Sequence, residues 1–228
     1  MTSIFQRAMG DEFDRLHPAL QRRFSVGLSS GTACVGRGVM DRVWHRAGGW
    51  VRPFLALGAT RHILLPRSGR DVPFVIENFP YEDSFGRETV TFARTFTFPR
   101  ARPARFDATM IYSPERGCIV DYLGTHQHLA TDLELTADQE GALVIRSTAH
   151  RFREGPVDVN VPDIFAADAR VRESYDQDMD HFRIEVEVVN RRFGPLFGYE
   201  GSFTAEYLDV AEHGVPSRLR PVREQARA

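Results

Sequence analysis

The segment from Thr89 to Phe98 alternates between apolar and polar positions with a period of two, which predicts a β-strand. One face of this strand carries Arg94 among four apolar side chains: Val90, Phe92, Phe96 and Phe98. A guanidinium among phenylalanines costs free energy unless it is paired, hydrated or bound to a ligand. The strand therefore predicts a polar site inside the protein.

Similar patterns recur along the rest of the chain. They predict further strands near residues 72–79, 105–113, 117–123, 127–135, 142–154, 168–177, 181–190 and 199–208, separated by turn-forming residues. Apolar residues at helical spacing within the first 25 residues predict two short helices. We therefore expect a mainly β (α+β) fold, in which an antiparallel sheet curls or closes into a barrel behind short N-terminal helices.

The domain organisation follows from the same pattern. We expect a single β-rich domain over residues 1–208, with an N-terminal helical segment, and a mobile tail over residues 209–228, which are rich in arginine and proline and lack periodicity. Residues 39–58 contain Trp44, Trp50 and Phe54 and are expected to include another short helical stretch. Residues 156–167 are expected to form a loop or a short helix.

Basic residues on apolar strand faces indicate a cavity that holds a partly apolar molecule. In the strand near 142–154, Arg146 and His150 share a face with Val144, Thr148 and Phe152. We predict a ligand site formed by Arg94, Arg146, Phe92, Phe96, Glu173 and Tyr199. The alternative is that Arg94 and Arg146 pair with structural carboxylates such as Glu77, Asp121 or Glu173, since buried charges are usually paired.

Three residues are candidates for acid/base chemistry: His150, Asp121 and Glu77. Each lies within or at the end of a largely apolar strand, where burial raises a carboxyl pKa and a neighbouring arginine lowers it. Such groups suit a cofactor-independent cyclisation or isomerisation of the bound molecule. The alternative for each carboxylate is a salt bridge between strands.

The sequence His126-Gln127-His128 would place two histidines on one face of a strand, a spacing found in metal sites. Asp132 would share that face, and His150 could supply a third nitrogen ligand. The alternative is a pair of histidines near a turn that bond to the backbone. We predict no cofactor, and a metal site at these histidines is the weaker alternative.

Composition excludes several chemistries. All 29 basic residues are arginine, so that a lysine Schiff base, a pyridoxal-phosphate linkage and a P-loop lysine are impossible. A net charge of −2 gives no electrostatic reason to expect nucleic acid as a partner. The sequence has no long apolar run and no secretory signal. Its two cysteines are too few for a disulfide framework. We therefore expect a cytoplasmic protein that does not bind membranes.

Short motifs spread along the chain resemble a known bacterial family. They are Ser3-Ile4-Phe5-Gln6, residues 16–24, Asp71-Val72-Pro73-Phe74, Gly86-Arg87-Glu88, residues 120–124 and residues 196–203. Together they resemble the uncharacterised family called domain of unknown function 4166, over nearly the whole chain except the tail. In some longer chains, members of this family look like the C-terminal partner of a saccharopine-dehydrogenase-like, nicotinamide-binding domain. The resemblance implies a domain that stands alone or acts beside a separate reductase, and it implies no catalytic residues.

Three functions remain open at this point. The first is binding of a small, largely apolar metabolite inside the barrel, with acid/base catalysis as an extension. The second is a non-catalytic accessory domain that docks on a partner reductase through Trp44, Trp50 and Phe54. The third is a metal-dependent enzyme built on His126 and His128.

Overall fold

The computed structural model describes residues 2–46, 61–63, 65, 67–154, 156–161, 166–190 and 192–228. The helices are α1 (Ile4–Met9), α2 (Pro18–Phe24) and α3 (Val210–His213), with 3₁₀ turns at Gly10–Arg15 and Ser217–Leu219. The first six strands are β1 (Thr32–His45), β2 (Gly69–Asn78), β3 (Pro80–Glu82), β4 (Glu88–Phe96), β5 (Ala104–Ser113) and β6 (Cys118–Leu123). The remaining strands are β7 (Leu129–Ala137), β8 (Leu143–Glu154), β9 (Val157–Asn160), β10 (Asp168–Asp176), β11 (His181–Asn190) and β12 (Gly194–Asp209).

Ten of the strands in the described ranges close into an antiparallel barrel, which confirms the predicted fold class. The order around the barrel is β1-β2-β4-β5-β6-β7-β8-β10-β11-β12, and β12 pairs with β1. The short strands β3 and β9 pair with β4 and β8 respectively. Closure leaves the barrel strands without free edges, which is why many short alternating strands favour this fold.

The inward faces of the strands form the core. Strand β11 shows the simplest pattern, because Phe182, Ile184, Val186 and Val188 are buried while the residues between them are exposed. Aromatic rings dominate the part of the wall formed by β2, β4 and β12, where Phe74, Phe96, Tyr199 and Phe203 pack together with ring centroids about 5–6 Å apart. The interior is therefore apolar, and a charged side chain there needs an explanation.

The N-terminal segment closes one end of the barrel. Ser3 caps α1 through a reciprocal capping box with Gln6, and His17 caps α2 with Pro18 at its first turn. The helices bury Ile4, Phe5, Leu20 and Phe24 against the inward faces of the strands, and none of these side chains is more than 3% exposed. The helices thus act as an apolar plug at this end.

Residues 209–228 pack along the outside of the barrel, where the sequence pattern predicts a mobile tail. Leu219 is buried against Ala33, Val35, Phe79 and Ala93. Further along, the backbone N–H of Val222 donates to Thr125 O at 2.7 Å, and the N–H of Gln225 donates to Gln127 Oε1 at 2.6 Å. The segment binds through its backbone and through scattered side chains such as Leu219 and Arg218, an arrangement that produces no hydrophobic periodicity in the sequence.

Two local expectations differ from the structure. Residues 39–45 continue strand β1 and do not form a helix, and the rest of the expected helical stretch lies outside the described residues apart from Arg46. Residues 157–160 form strand β9 rather than a loop or helix. None of the helices in the described ranges has the length and apolarity needed to cross a lipid bilayer.

Candidate ligand-binding site in the barrel interior

Arg94 faces the barrel interior from near the C-terminal end of β4, as its strand pattern predicts. Its guanidinium lies 4.9 Å from the ring centroid of Phe106 and 5.7 Å from that of Phe92. Among the described residues, Nε and Nη1 of Arg94 have no hydrogen-bond partner, although both atoms are buried. Two cation–π contacts stabilise the charge in part, but they leave the N–H groups of the guanidinium unsatisfied.

Asp121 lies in β6 on the same inward face. Its Oδ1 atom is also buried without a hydrogen-bond partner in the described part of the chain. Burial raises the pKa of Asp121 to about 7, against the opposing effect of the Arg94 guanidinium. Arg94 and Asp121 thus influence each other electrostatically, yet neither forms a hydrogen bond within the described ranges. They keep 8% and 9% of their accessible surface, so protein atoms do not cover them completely.

Tyr199 completes the group of unsatisfied polar side chains. Its ring packs edge-on against Phe96 with the centroids 5.1 Å apart, which fixes its position on the interior wall. Its hydroxyl is buried and has no hydrogen-bond partner among the described residues. Burial raises the pKa of Tyr199, and the charge of Arg94 acts in the opposite direction. The hydroxyl therefore stays protonated and can donate a hydrogen bond.

His150 shares this inward face because of a bulge in β8. Asp121 pairs with Thr131 on β7, and Thr131 pairs with His150 on β8. The next inward pair is Leu133 with Ser147, so β8 advances by three residues where β7 advances by two. His150 Nδ1 lies 3.1 Å from Thr131 Oγ1, and its Nε2 lies 3.2 Å from Asp168 Oδ1. The three strands thus place Asp121, Thr131 and His150 in one cross-strand row.

The same bulge puts Arg146 on the opposite side of the sheet. Sequence alternation alone predicts that Arg146 and His150 share a face, but the extra residue inverts the pattern between them. Arg146 is exposed on the outside of the barrel, where it pairs in register with Glu134 and Arg170. Arg146 is therefore not near Arg94, and the structure does not bring it into the interior site.

Glu173 is buried inside the barrel, but its partner is not Arg94. It forms an ion pair with Arg23 of α2, which sequence reasoning overlooked. Arg23 Nη1 also donates to Asn78 Oδ1 at 3.0 Å and to Cys34 Sγ at 3.2 Å. A signal for Arg23 exists in the sequence, because it follows Leu20 by three positions and thus lies on the apolar face of α2.

Glu77 lies on the outside of the barrel and takes no part in the interior site. Its two carboxylate oxygens accept hydrogen bonds from Arg218 of the C-terminal segment, each at 2.7 Å. The alternation of β2 explains this placement, because Ile76 and Asn78 face inward on either side of it. Glu77 is therefore a structural ion-pair partner, which is the alternative that the sequence leaves open.

His126 and His128 lie at the turn before β7, outside any strand. Their rings stack with centroids 5.5 Å apart, and Gln127 between them has a positive φ of 53°. His128 Nδ1 lies 2.5 Å from Glu154 Oε2 and 3.2 Å from Arg153 O. Asp132 instead binds Arg151, and within the described ranges no group of three or more metal-ligating side chains occurs.

Of the three aromatic residues predicted to dock on a partner, the structure describes only Trp44. The Trp44 ring lies over Gly198, where an added Cβ atom would approach the ring to 2.6 Å. Trp50 and Phe54 lie outside the described residues. The structure thus offers no observation that favours an accessory domain docking through these three residues.

The fold and the site together define a class: a closed antiparallel β-barrel, plugged at one end by helices, with unsatisfied polar side chains on its inner wall. Comparison with known proteins assigns the family. Residues 16–203 match the model described as "Domain of unknown function (DUF4166)", and the chain belongs to this family, as the motifs indicate. It is also 30% identical over 208 residues to "Uncharacterized protein YndH" of Bacillus subtilis (strain 168), covering 90% of this chain and 98% of that protein.

Proposed function

We propose that the barrel binds a small, largely apolar molecule that carries a carboxylate or enolate oxygen. The observation that supports this proposal is the set of unpartnered polar atoms on Arg94, Asp121 and Tyr199 among the described residues of an apolar interior. Leaving buried polar groups unsatisfied costs about 1–3 kcal/mol each, more for charged groups. A ligand that satisfies them offsets this cost on binding.

Arg94 is the primary binding residue in this proposal. Its guanidinium offers several N–H donors and a permanent positive charge, which suit the oxygens of a carboxylate or enolate. The Tyr199 hydroxyl supplies a further donor. The surrounding Phe92, Phe96 and Phe106 provide apolar contact surface for the rest of the molecule.

Asp121 extends the proposal to acid/base catalysis. A carboxyl group with a pKa of about 7 populates both protonation states at neutral pH, which suits a residue that donates and accepts protons. Arg94 would stabilise the negative charge that develops on an enolate oxygen while Asp121 moves a proton. The reaction class that fits these groups is an isomerisation or cyclisation through an enolate, with His150 as a second proton-transfer group in the same row.

Isothermal titration calorimetry with octanoate, a simple apolar carboxylate, tests the binding proposal. We expect the wild type to bind octanoate and Arg94→Met to bind it about 10- to 100-fold more weakly, because a charge-assisted hydrogen bond contributes about 1.5–3 kcal/mol. Arg146→Met is the matched control, since it removes the exposed arginine of β8. Its affinity should equal that of the wild type.

Two outcomes would contradict the proposal. One is that the wild type binds neither octanoate nor an aromatic carboxylate such as cinnamate. The other is that Arg94→Met and Arg146→Met weaken binding equally, because the carboxylate would then bind through general surface charge rather than at the interior site.

A further inference from the structure

A continuous row of apolar side chains leads from the interior site to the protein surface. The register pairs Phe92 with Ala108, Ala108 with Leu123, Leu123 with Leu129, Leu129 with Phe152 and Phe152 with Val159. Directly opposed residues in antiparallel strands lie on the same face of the sheet. The row begins at Phe92, which contacts Arg94, and ends at the β8–β9 hairpin.

The outer end of this row is exposed. Phe92 and Ala108 are 5% and 2% exposed, whereas Phe152 and Val159 are 36% and 48% exposed. A contiguous exposed apolar patch is a feature of ligand-binding grooves and other interaction sites. The outer two residues are exposed because the hairpin extends beyond the part of β8 that pairs with β10.

The hairpin is held in place from its other face. Arg153, on the outward side of β8, is 4% exposed and donates to the backbone oxygens of Arg227 and Ala228. Arg151 forms a two-point ion pair with Asp132. On the inward side the Phe152 ring stacks on His128 with centroids 6.1 Å apart. The exposed apolar surface thus belongs to a hairpin anchored by ion pairs and hydrogen bonds, not to a fraying end.

We infer that this row binds the apolar chain of a long-chain carboxylate whose head group lies at Arg94. The inference rests on the proposed function and specifies its ligand class. Four strand spacings of about 4.8 Å separate Phe92 from Phe152, so the row is about 19 Å long along the wall. A fully extended long-chain acyl group matches this length, whereas a short acid such as octanoate ends well before Phe152.

Affinities for hexadecanoate and octanoate, measured by calorimetry at concentrations that avoid micelles, test the inference. Phe152→Ser should weaken hexadecanoate binding about tenfold, because burial of a large apolar side chain contributes about 1.5–3 kcal/mol and only part of it is lost here. Val159→Ser should weaken it less, by a few-fold. Octanoate affinity should not change in either variant. Phe85→Ser is the control, since Phe85 is 48% exposed at the β3–β4 turn, away from the row.

The outcomes separate the two proposals. If the wild type binds both acids but Phe152→Ser and Val159→Ser leave hexadecanoate affinity unchanged, the row does not bind the chain and this inference is overturned. Equal weakening of both acids would also overturn it, because octanoate does not reach Phe152. If the wild type binds neither acid, the proposed function itself fails.

Discussion

Arg23 and Arg94, both in the described part of the chain, face the interior of this barrel, and they differ in how they are paired. At the end closed by the helices, Arg23 contacts Glu173, Asn78 and Cys34, and its Nη2 atom alone lacks a described partner. On the barrel wall, Arg94 lies against the faces of Phe92 and Phe106, and its side chain forms no hydrogen bond within the described ranges. The same residue type thus occupies two different environments in one core.

The difference supports the proposal that Arg23 is structural and that Arg94 binds a ligand. Burial disfavours the charged form of Arg23, but the charge interactions and hydrogen bonds with Glu173 and Cys34 together outweigh this effect and raise the pKa of Arg23. Its charge is therefore satisfied without any ligand. The charge of Arg94 is satisfied only in part, so the folded protein carries a cost that a bound anion would remove. This contrast is the physical basis of the proposed function.

The largest effect on stability is expected from replacing Arg23, the paired arginine. Arg23→Met should lower the free energy of unfolding by about 3–5 kcal/mol, because it leaves the buried Glu173 carboxylate without its partner. Urea denaturation measures this change. Arg183→Met, at an exposed position of β11, is the control and should change stability by less than about 0.5 kcal/mol.

A double variant sharpens this prediction. Arg23→Met combined with Glu173→Met replaces both charges by apolar side chains and should recover most of the stability lost in the single variant. A double variant as unstable as Arg23→Met alone would mean that the ion pair with Glu173 is not the reason for the loss.

Asp121, inside the barrel, should make the free energy of unfolding depend on pH. Its ordinary pKa is 3.8 and its pKa in the folded protein is about 7, so the folded state binds more protons between these values. The free energy of unfolding should therefore fall as pH rises from about 4 to 7. Asp121→Asn should lack this contribution and exceed the wild type in stability above pH 7. A difference between the two proteins that stays constant over pH 4–8 would contradict the raised pKa.

Replacing Tyr199 should have a smaller effect, and on ligand affinity rather than on stability. Tyr199→Phe removes a hydroxyl with no described partner, so stability without ligand should not fall, whereas octanoate affinity should drop several-fold through loss of about 1 kcal/mol. Calorimetry and urea denaturation give the two quantities. A loss of stability with unchanged affinity would show that the hydroxyl is structural.

The smallest effect on stability is expected from replacing Glu77, on the outside of the barrel. Glu77→Gln removes an ion pair in which the Arg218 side chain is 56% exposed, so the cost in stability should be about 1 kcal/mol or less. Octanoate affinity should equal that of the wild type. A marked loss of affinity in this variant would place the binding site on the outer face and undo the contrast between Arg23 and Arg94.

Much of the barrel could be predicted from alternation alone. The strands around Arg94 and along β11 were predictable because a strand in a barrel keeps one face toward the core over its length. The inward position of Asp121 on β6 follows the same rule. Arg94 was identifiable because a single charge interrupts an otherwise apolar face, and the structure leaves that charge unpaired among the described residues.

The remaining features depend on contacts that alternation does not encode. The bulge in β8 separates Arg146 from His150 through one extra residue, which leaves no distinct mark in the sequence. Arg23 enters the barrel from a helix, so no strand pattern includes it, although its place on the apolar face of α2 was a usable signal. The C-terminal segment binds through backbone hydrogen bonds and scattered side chains, and such contacts do not require a periodic side-chain pattern.

The stability of Arg94→Met without ligand tests the central claim most directly. If Arg94 is kept for a ligand, replacing it with an apolar side chain of similar length should raise the free energy of unfolding by about 1 kcal/mol or more, because an unsatisfied buried charge is removed. Urea denaturation of the wild type and the variant measures this difference. A loss of stability comparable to that of Arg23→Met would show that Arg94 is a structural residue and would contradict the account.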